Sequence, residues 1–261
     1  MTQQELDQFS KLPPQQQAIA ALKALEGLYQ NGQTVEALTV ALELGQKALV
    51  QAAWCHYRLK NYTACVETLS RTSETQSALE LWAYLYAYEY TGYKDEEKLQ
   101  SIVKKLEPDN VNAHNAVVIA ARDKNSTLDA AEIFTKLDPW INGLDRSLAT
   151  EKDANLLHNL ARLALAKESF PDHLQKALEL IDYTIEAYGT HSKLFHRAAA
   201  HYWRSVILEK MGKPYDAWQA SITALNARSQ QLELEPTNET WKQDLEKAQL
   251  REQQLRDNVT F

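Results

Sequence analysis

Apolar residues recur at steps of three and four through most of the chain, with polar residues between them. That is the period of a helix with one buried face. Ile19, Leu22, Leu25, Leu28 and Tyr29 define such a stripe over 18–29. The chain turns at Asn31-Gly32, and Val35, Leu38, Ala41 and Leu42 form a second stripe that closes at Gly45, where glycine can take the left-handed cap conformation. So short a connection makes an antiparallel hairpin. The arrangement recurs, with helices predicted at 46–60 and 62–71, 76–91 and 94–106, then 110–122 and 127–137, and with Pro108 and Pro139 just past two of the ends.

Over 140–152 the period gives way to a longer polar segment containing Asn142-Gly143. Longer helices are then predicted at 153–168, 172–188, 192–211 and 215–234, followed by a final one over 239–257. That last segment is mostly Gln, Glu, Lys and Arg, with Trp241, Leu245, Ala248, Leu250 and Leu255 as a sparse apolar stripe, which suits a terminal capping helix with a solvated outer face. The chain thus reads as hairpins over 1–139, an irregular connection at 140–152, and longer hairpins with the capping helix over 153–261. Stacked hairpins bury each exposed face against the next, so the two parts are expected to continue as one body.

Composition strengthens the all-α reading. Seven Gly and seven Pro in 261 residues are about a twentieth of the chain, roughly half the usual share, and leave too little turn chemistry for a sandwich or barrel. A net charge of −7 argues against a nucleic-acid partner, because a phosphate backbone needs a basic surface. The N-terminus lacks the basic and apolar regions of an export signal, and no run of eighteen apolar residues occurs, so neither secretion nor membrane insertion is expected. Cys55 and Cys65 lie outside redox and zinc spacing and read as small buried residues in a reducing compartment, the cytoplasm.

Hairpins repeating every thirty or so residues invite a search for internal repeats. Gly32 precedes Ala37 by five residues and Gly212 precedes Ala217 by five; Lys60 with Cys65 and Gly92 with Glu97 hold the same relation more loosely. Leu81, Leu85 and Tyr88 followed by Gly92, then Gly212, Ala217 and Ala224, together with the ends Leu106-Glu107-Pro108, Leu137-Asp138-Pro139 and Leu234-Glu235-Pro236, resemble the tetratricopeptide repeat (TPR) family in degenerate form. Glu97 and Ser101 depart from its pattern. The resemblance implies a right-handed α-solenoid whose function is to bind a protein or peptide. A weaker likeness, at Ala53-Trp54-Cys55-His56-Tyr57-Arg58-Leu59, is to the N-terminal repeats of the large TPR subunit of the signal recognition particle.

In such a stack the first helix of each hairpin lines the concave wall. Aligning Tyr88 with the family's packing tyrosine sends Leu81, Tyr84 and Leu85 inward with it and places Leu79, Trp82, Tyr86 and Tyr90 on the groove. The same phase puts Val50, Trp54, Tyr57 and Arg58 there from the preceding hairpin, and Asn112, Asn115, Ile119 and Arg122 from the following one. Aromatic and Arg side chains are the types enriched at binding hot spots, and Asn can grip a peptide backbone. The alternatives are that a terminal segment covers this face, or that the aromatics pack between hairpins.

No phosphate-binding loop or serine elbow occurs, and His196 and His201 are five apart rather than at zinc-pair spacing. The expectation is therefore a non-catalytic scaffold without metal or cofactor. The competing reading is a helical enzyme or small-ligand sensor with its pocket near Trp140 and His158, where the repeat pattern breaks. An open hairpin end could also seat a second copy of the chain.

Overall fold

The computed structural model describes residues 14–30, 33–168, 172–189, 194–234, 236 and 239–259. Among these the regular elements are all helical. In order they are α1 (Pro14–Gln30), α2 (Thr34–Leu44), a 3-10 turn (Gly45–Ala48), α3 (Leu49–Arg58), α4 (Tyr62–Leu69), α5 (Gln76–Ala87) and a second 3-10 turn (Glu89–Thr91). There follow α6 (Glu96–Val103), α7 (Val111–Ala121), α8 (Ala130–Gly143), α9 (Glu151–Ala166), α10 (His173–Tyr188), α11 (Leu194–Lys210), α12 (Pro214–Leu234) and α13 (Glu239–Asp257). The expected turn at Asn31-Gly32 lies outside the described residues. No helix among the described residues is long and apolar enough to cross a membrane.

Two compact units result, Met1–Pro108 and Asp109–Phe261. The division falls at the proline after α6 rather than within 140–152, because that segment joins two helices of one core. Phe134, Leu137 and Ile141 of α8 pack in the same cluster as Leu156, Leu157 and Leu160 of α9. In the first unit α1 packs on α2, α2 on α3, α3 on α4 and α5 on α6, and α3 also touches α5. In the second, α9 meets α7, α8, α10 and α11, while α12 is flanked by α11 and α13. Cys55 and Cys65 are buried and unpaired, and burial pushes the Cys65 thiol up to about 12.

The helix starts are written in short polar side chains. Asp95 accepts from the Lys98 amide, Asn110 from that of Ala113 and Asp129 from that of Ala131, so each caps an orphan N–H. At α9, Thr150 and Asp153 form a reciprocal capping box. The end of α8 departs from expectation. Pro139 lies inside the helix, which runs on to Gly143. An interior proline costs about 3 kcal/mol, but the continued turn buries Ile141 beside Leu137, and each such side chain returns roughly 1.5–3 kcal/mol.

The predicted helix 76–91 stops early, at Ala87. Tyr88 is extended, and Gly92 takes the left-handed conformation at φ 78° that a side chain would disfavour. The buried Thr91 explains the break. Its Oγ1 lies 2.6 Å from the Leu85 carbonyl and 2.7 Å from that of Tyr88, so its one proton serves one of the two, while the Asp95 amide donates to the Tyr86 carbonyl. Carbonyls that a continuing helix would have satisfied are thus covered by the turn. Replacing Thr91 with Val should lower the stability of the first unit by about 1–3 kcal/mol, since a buried acceptor loses its donor. Urea unfolding followed by tyrosine fluorescence measures this, with Thr39→Val, whose hydroxyl bonds an exposed helical carbonyl, as the near-neutral control.

Candidate functional site

In the first unit, Trp54 and Tyr57 project from α3 and Tyr84 from α5 because both helices turn their Ala, Cys and Leu positions into the core formed by Ala53, Cys65, Ala78, Leu81 and Leu85. The Trp54 indole donates to Ser77 Oγ at 3.2 Å. Its ring meets Tyr57 and Tyr84 edge-on at 5.9 Å. From Tyr57 the contacts close into a loop of five tyrosines: Tyr57 to Tyr62 at 5.8 Å, Tyr62 to Tyr90 at 5.9 Å, Tyr90 to Tyr88 at 4.8 Å, Tyr88 to Tyr84 at 6.4 Å, and Tyr84 back to Tyr57 at 6.5 Å. Burial first, then the neighbouring hydroxyl of Tyr90, pushes the Tyr57 phenol well above its ordinary range.

This grouping differs from the expected one. Tyr84 and Tyr88, assigned inward, join Trp54 and Tyr57, whereas Trp82 and Tyr86 form a separate stacked pair at 5.8 Å. For Tyr88 and Tyr90 the cause is the early end of α5: past Ala87 the rings leave the helical phase, and the 3-10 turn carries Tyr90, 62% exposed, back over Tyr62. Of the other first-unit residues, Arg58 is exposed, Val50 half-buried, and Leu79 buried rather than displayed.

The second unit holds a polar constellation centred on α9. Ala154, Leu156, Leu157, Leu160, Ala161, Leu163 and Ala164 are buried on most sides of this helix. Yet Glu151, Asn155, His158, Asn159 and Arg162 recur at steps of three and four and fall within an arc of about 100°. Each meets a neighbouring helix or its own stripe. Asn159 donates to Asn115 Oδ1 on α7 at 2.9 Å and to the Asn155 carbonyl at 3.1 Å, and accepts from the Arg122 guanidinium at the end of α7. Asn155 accepts from the Tyr188 hydroxyl at 2.7 Å. The Tyr188 ring stacks at 5.3 Å on His196 of α11, whose Nε2 lies 2.9 Å from Glu151. The Arg162 guanidinium sits 4.5 Å over the Trp203 ring, a cation–π contact.

His158 stands among these groups, 8% exposed, with Nδ1 buried and without a hydrogen-bond partner. Burial, reinforced by Arg162, Arg122 and His196, pushes its imidazole down to about 3, so the ring is neutral at pH 7. Of the residues expected on the groove, Asn115 and Arg122 belong to this network, but Asn115 is buried against Asn159 rather than displayed, while Asn112 is half-buried on the same helix. Ile119, 5% exposed, lies buried rather than on a surface. Asn155, Asn159 and Arg162 were missed, although polar side chains at helical spacing inside an otherwise apolar run were visible in the sequence.

Among the described residues no group of three or more His, Cys, Asp and Glu could hold a metal ion. No protein-family model matches the chain, and a search of curated proteins finds no match.

A neutral buried imidazole links stability to pH. In the unfolded chain it protonates near 6.5, but in the folded one only near 3, so the folded state loses stability as pH falls through that window. Between pH 6.5 and 5, before the carboxylates dominate, His158→Gln should flatten the decline by up to about 1.4 kcal/mol per pH unit. Chemical denaturation of both proteins across that range checks it.

Proposed function

We propose that the chain is a non-catalytic interaction module built of tetratricopeptide-like hairpins of the solenoid kind, which holds a peptide or partner protein on its first-helix surfaces. The observation that carries the reading is the α9 stripe. In the second unit α7, α9 and α11 touch in series, and at their contacts they carry Asn, His, Arg and Trp, joined by Tyr188 of α10, in place of further aliphatic packing. A buried polar network is costly unless every member is satisfied, whereas Asn, Arg and Trp side chains suit recognition of an extended chain. The unpaired cysteines suit a reducing compartment.

Affinity capture from the host tests the reading with three variants of the full chain: Arg122→Ala with Arg162→Ala, Trp82→Ala with Tyr86→Ala, and Lys247→Ala as an exposed control. A specific partner should be retained by the wild type and the control and lost by about tenfold or more with at least one double variant. Equal recovery by all of them would remove the proposal, and a small molecule copurifying with the wild type would favour the sensor alternative at His158.

A further inference from the structure

Six aromatic rings of the first unit form one continuous set of contacts. Trp54 meets Tyr57 and Tyr84 at 5.9 Å, and the five tyrosines close on themselves through centroid separations of 4.8 to 6.5 Å. Rings at such separations have their edges or faces in contact, so an electron vacancy created on one is passed readily to the next. Five of the six are half-buried, whereas Tyr90 is 62% exposed. Taking an electron from a phenol makes its proton strongly acidic, and the vacancy settles where that proton can leave. Water accepts it at Tyr90. Burial withholds that exit from Tyr57, and the Trp54 indole N–H faces only the Ser77 hydroxyl, which is no base. The gradient of exposure therefore runs from the inner rings to Tyr90.

Tyr90 has its partner at the shortest separation of the set. Its ring lies 4.8 Å from that of Tyr88 with 33° between their planes, and both residues stand past the end of α5, so the rings can close the remaining distance without unwinding that helix. We propose that the aromatic loop is an oxidation relay ending at Tyr90, and that one-electron oxidation joins Tyr90 to Tyr88 by a carbon–carbon bond between ring positions ortho to the hydroxyls. Each phenol loses one electron and its hydroxyl proton. The two radicals couple ortho to ortho, and the hydrogens on those carbons move to oxygen, restoring both phenols. Two electrons and two protons leave in all; with hydrogen peroxide as the oxidant, acting through a haem peroxidase, they convert one peroxide into two waters. Thiols do not reduce a carbon–carbon bond, so the link persists in the reducing compartment that suits the unpaired Cys55 and Cys65. It fixes the turn that closes α5, and it is independent of the α9 surface.

The bond is tested on the dilute full chain with a haem peroxidase and limiting hydrogen peroxide, after which the monomer is isolated. Dityrosine fluorescence, a mass lower by two hydrogens and peptide fragmentation locate the link. It should lie between Tyr88 and Tyr90, vanish in Tyr90→Phe, and survive in Tyr215→Phe, which removes another exposed phenol outside the loop. The relay is tested with a small ruthenium polypyridyl photo-oxidant and a cobalt(III) ammine as final electron acceptor, reading ring-oxidised Trp54 by mass spectrometry. Oxidised Trp54 should rise in Tyr90→Phe, which removes the exposed end of the relay. It should rise also in the Tyr57→Phe, Tyr84→Phe double variant, which keeps the rings but removes the two phenols next to the indole. Dityrosine found only between molecules, or spread over the monomer without preference for Tyr88 and Tyr90, overturns the cross-link. Trp54 oxidation equal in the wild type and Tyr90→Phe overturns the relay.

Discussion

A helix buried on most sides is destabilised by polar residues that its neighbours do not answer, and of the five that α9 carries on one stripe four are answered. Asn115 and Arg122 answer Asn159, Tyr188 answers Asn155, His196 answers Glu151, and Trp203 lies under Arg162. These bonds come from three different helices, so they fix α9 in rotation and height against all of them at once. Leucine packing alone would tolerate a shift of register, because one apolar contact is nearly as good as the next. A displaced amide leaves a donor and an acceptor unsatisfied together. The aliphatic core of the second unit supplies bulk stabilisation, and the polar stripe selects the arrangement in which that core is built.

Most of the helices were legible because their apolar stripes are periodic and their starts carry Asp, Asn or Thr that can reach an amide three residues on. Where the reading failed, a non-local interaction outweighed a local signal. Pro139 has the look of a terminator, yet the burial of Ile141 beside Leu137 offsets much of what the proline costs. Thr91 has no special look at all. Its role exists only because the chain folds back far enough for one hydroxyl to lie within reach of two carbonyls at the end of α5. Periodicity cannot show that, so the helix was extended four residues too far and everything read from its phase beyond Ala87 shifted. The division after Pro108 was hidden for a related reason: the polar composition of 140–152 resembles a linker, but α8 and α9 on either side of it share a core.

The candidate surfaces show the same limit. A wheel drawn on the expected helix sets Trp82 and Tyr86 apart from Tyr84; in the structure the first two stack on each other, while Tyr84 meets Trp54 and Tyr57, which the same phase had grouped with Trp82 and Tyr86. It fails for Tyr88 and Tyr90, which no longer belong to that helix. On α7 the wheel selected Asn115 and Ile119 for the groove, yet both are buried, Asn115 in the polar network and Ile119 in an apolar environment. The stronger signal lay further on, in Asn155, His158, Asn159 and Arg162. Any one of them is unremarkable, but four polar residues at helical spacing between buried leucines mark a stripe that has to be satisfied by other helices.

His158 separates satisfaction from function. Asn155, Asn159 and Tyr188 have their bonds, and a leucine in place of the imidazole would have removed both the unsatisfied nitrogen and the pH dependence that comes with a buried titratable ring. A lysine would have added a third permanent cation beside Arg122 and Arg162, at the expense of mutual repulsion in a poorly screened setting. The depressed proton affinity of His158 is first a cost of burial, reinforced by the two arginines.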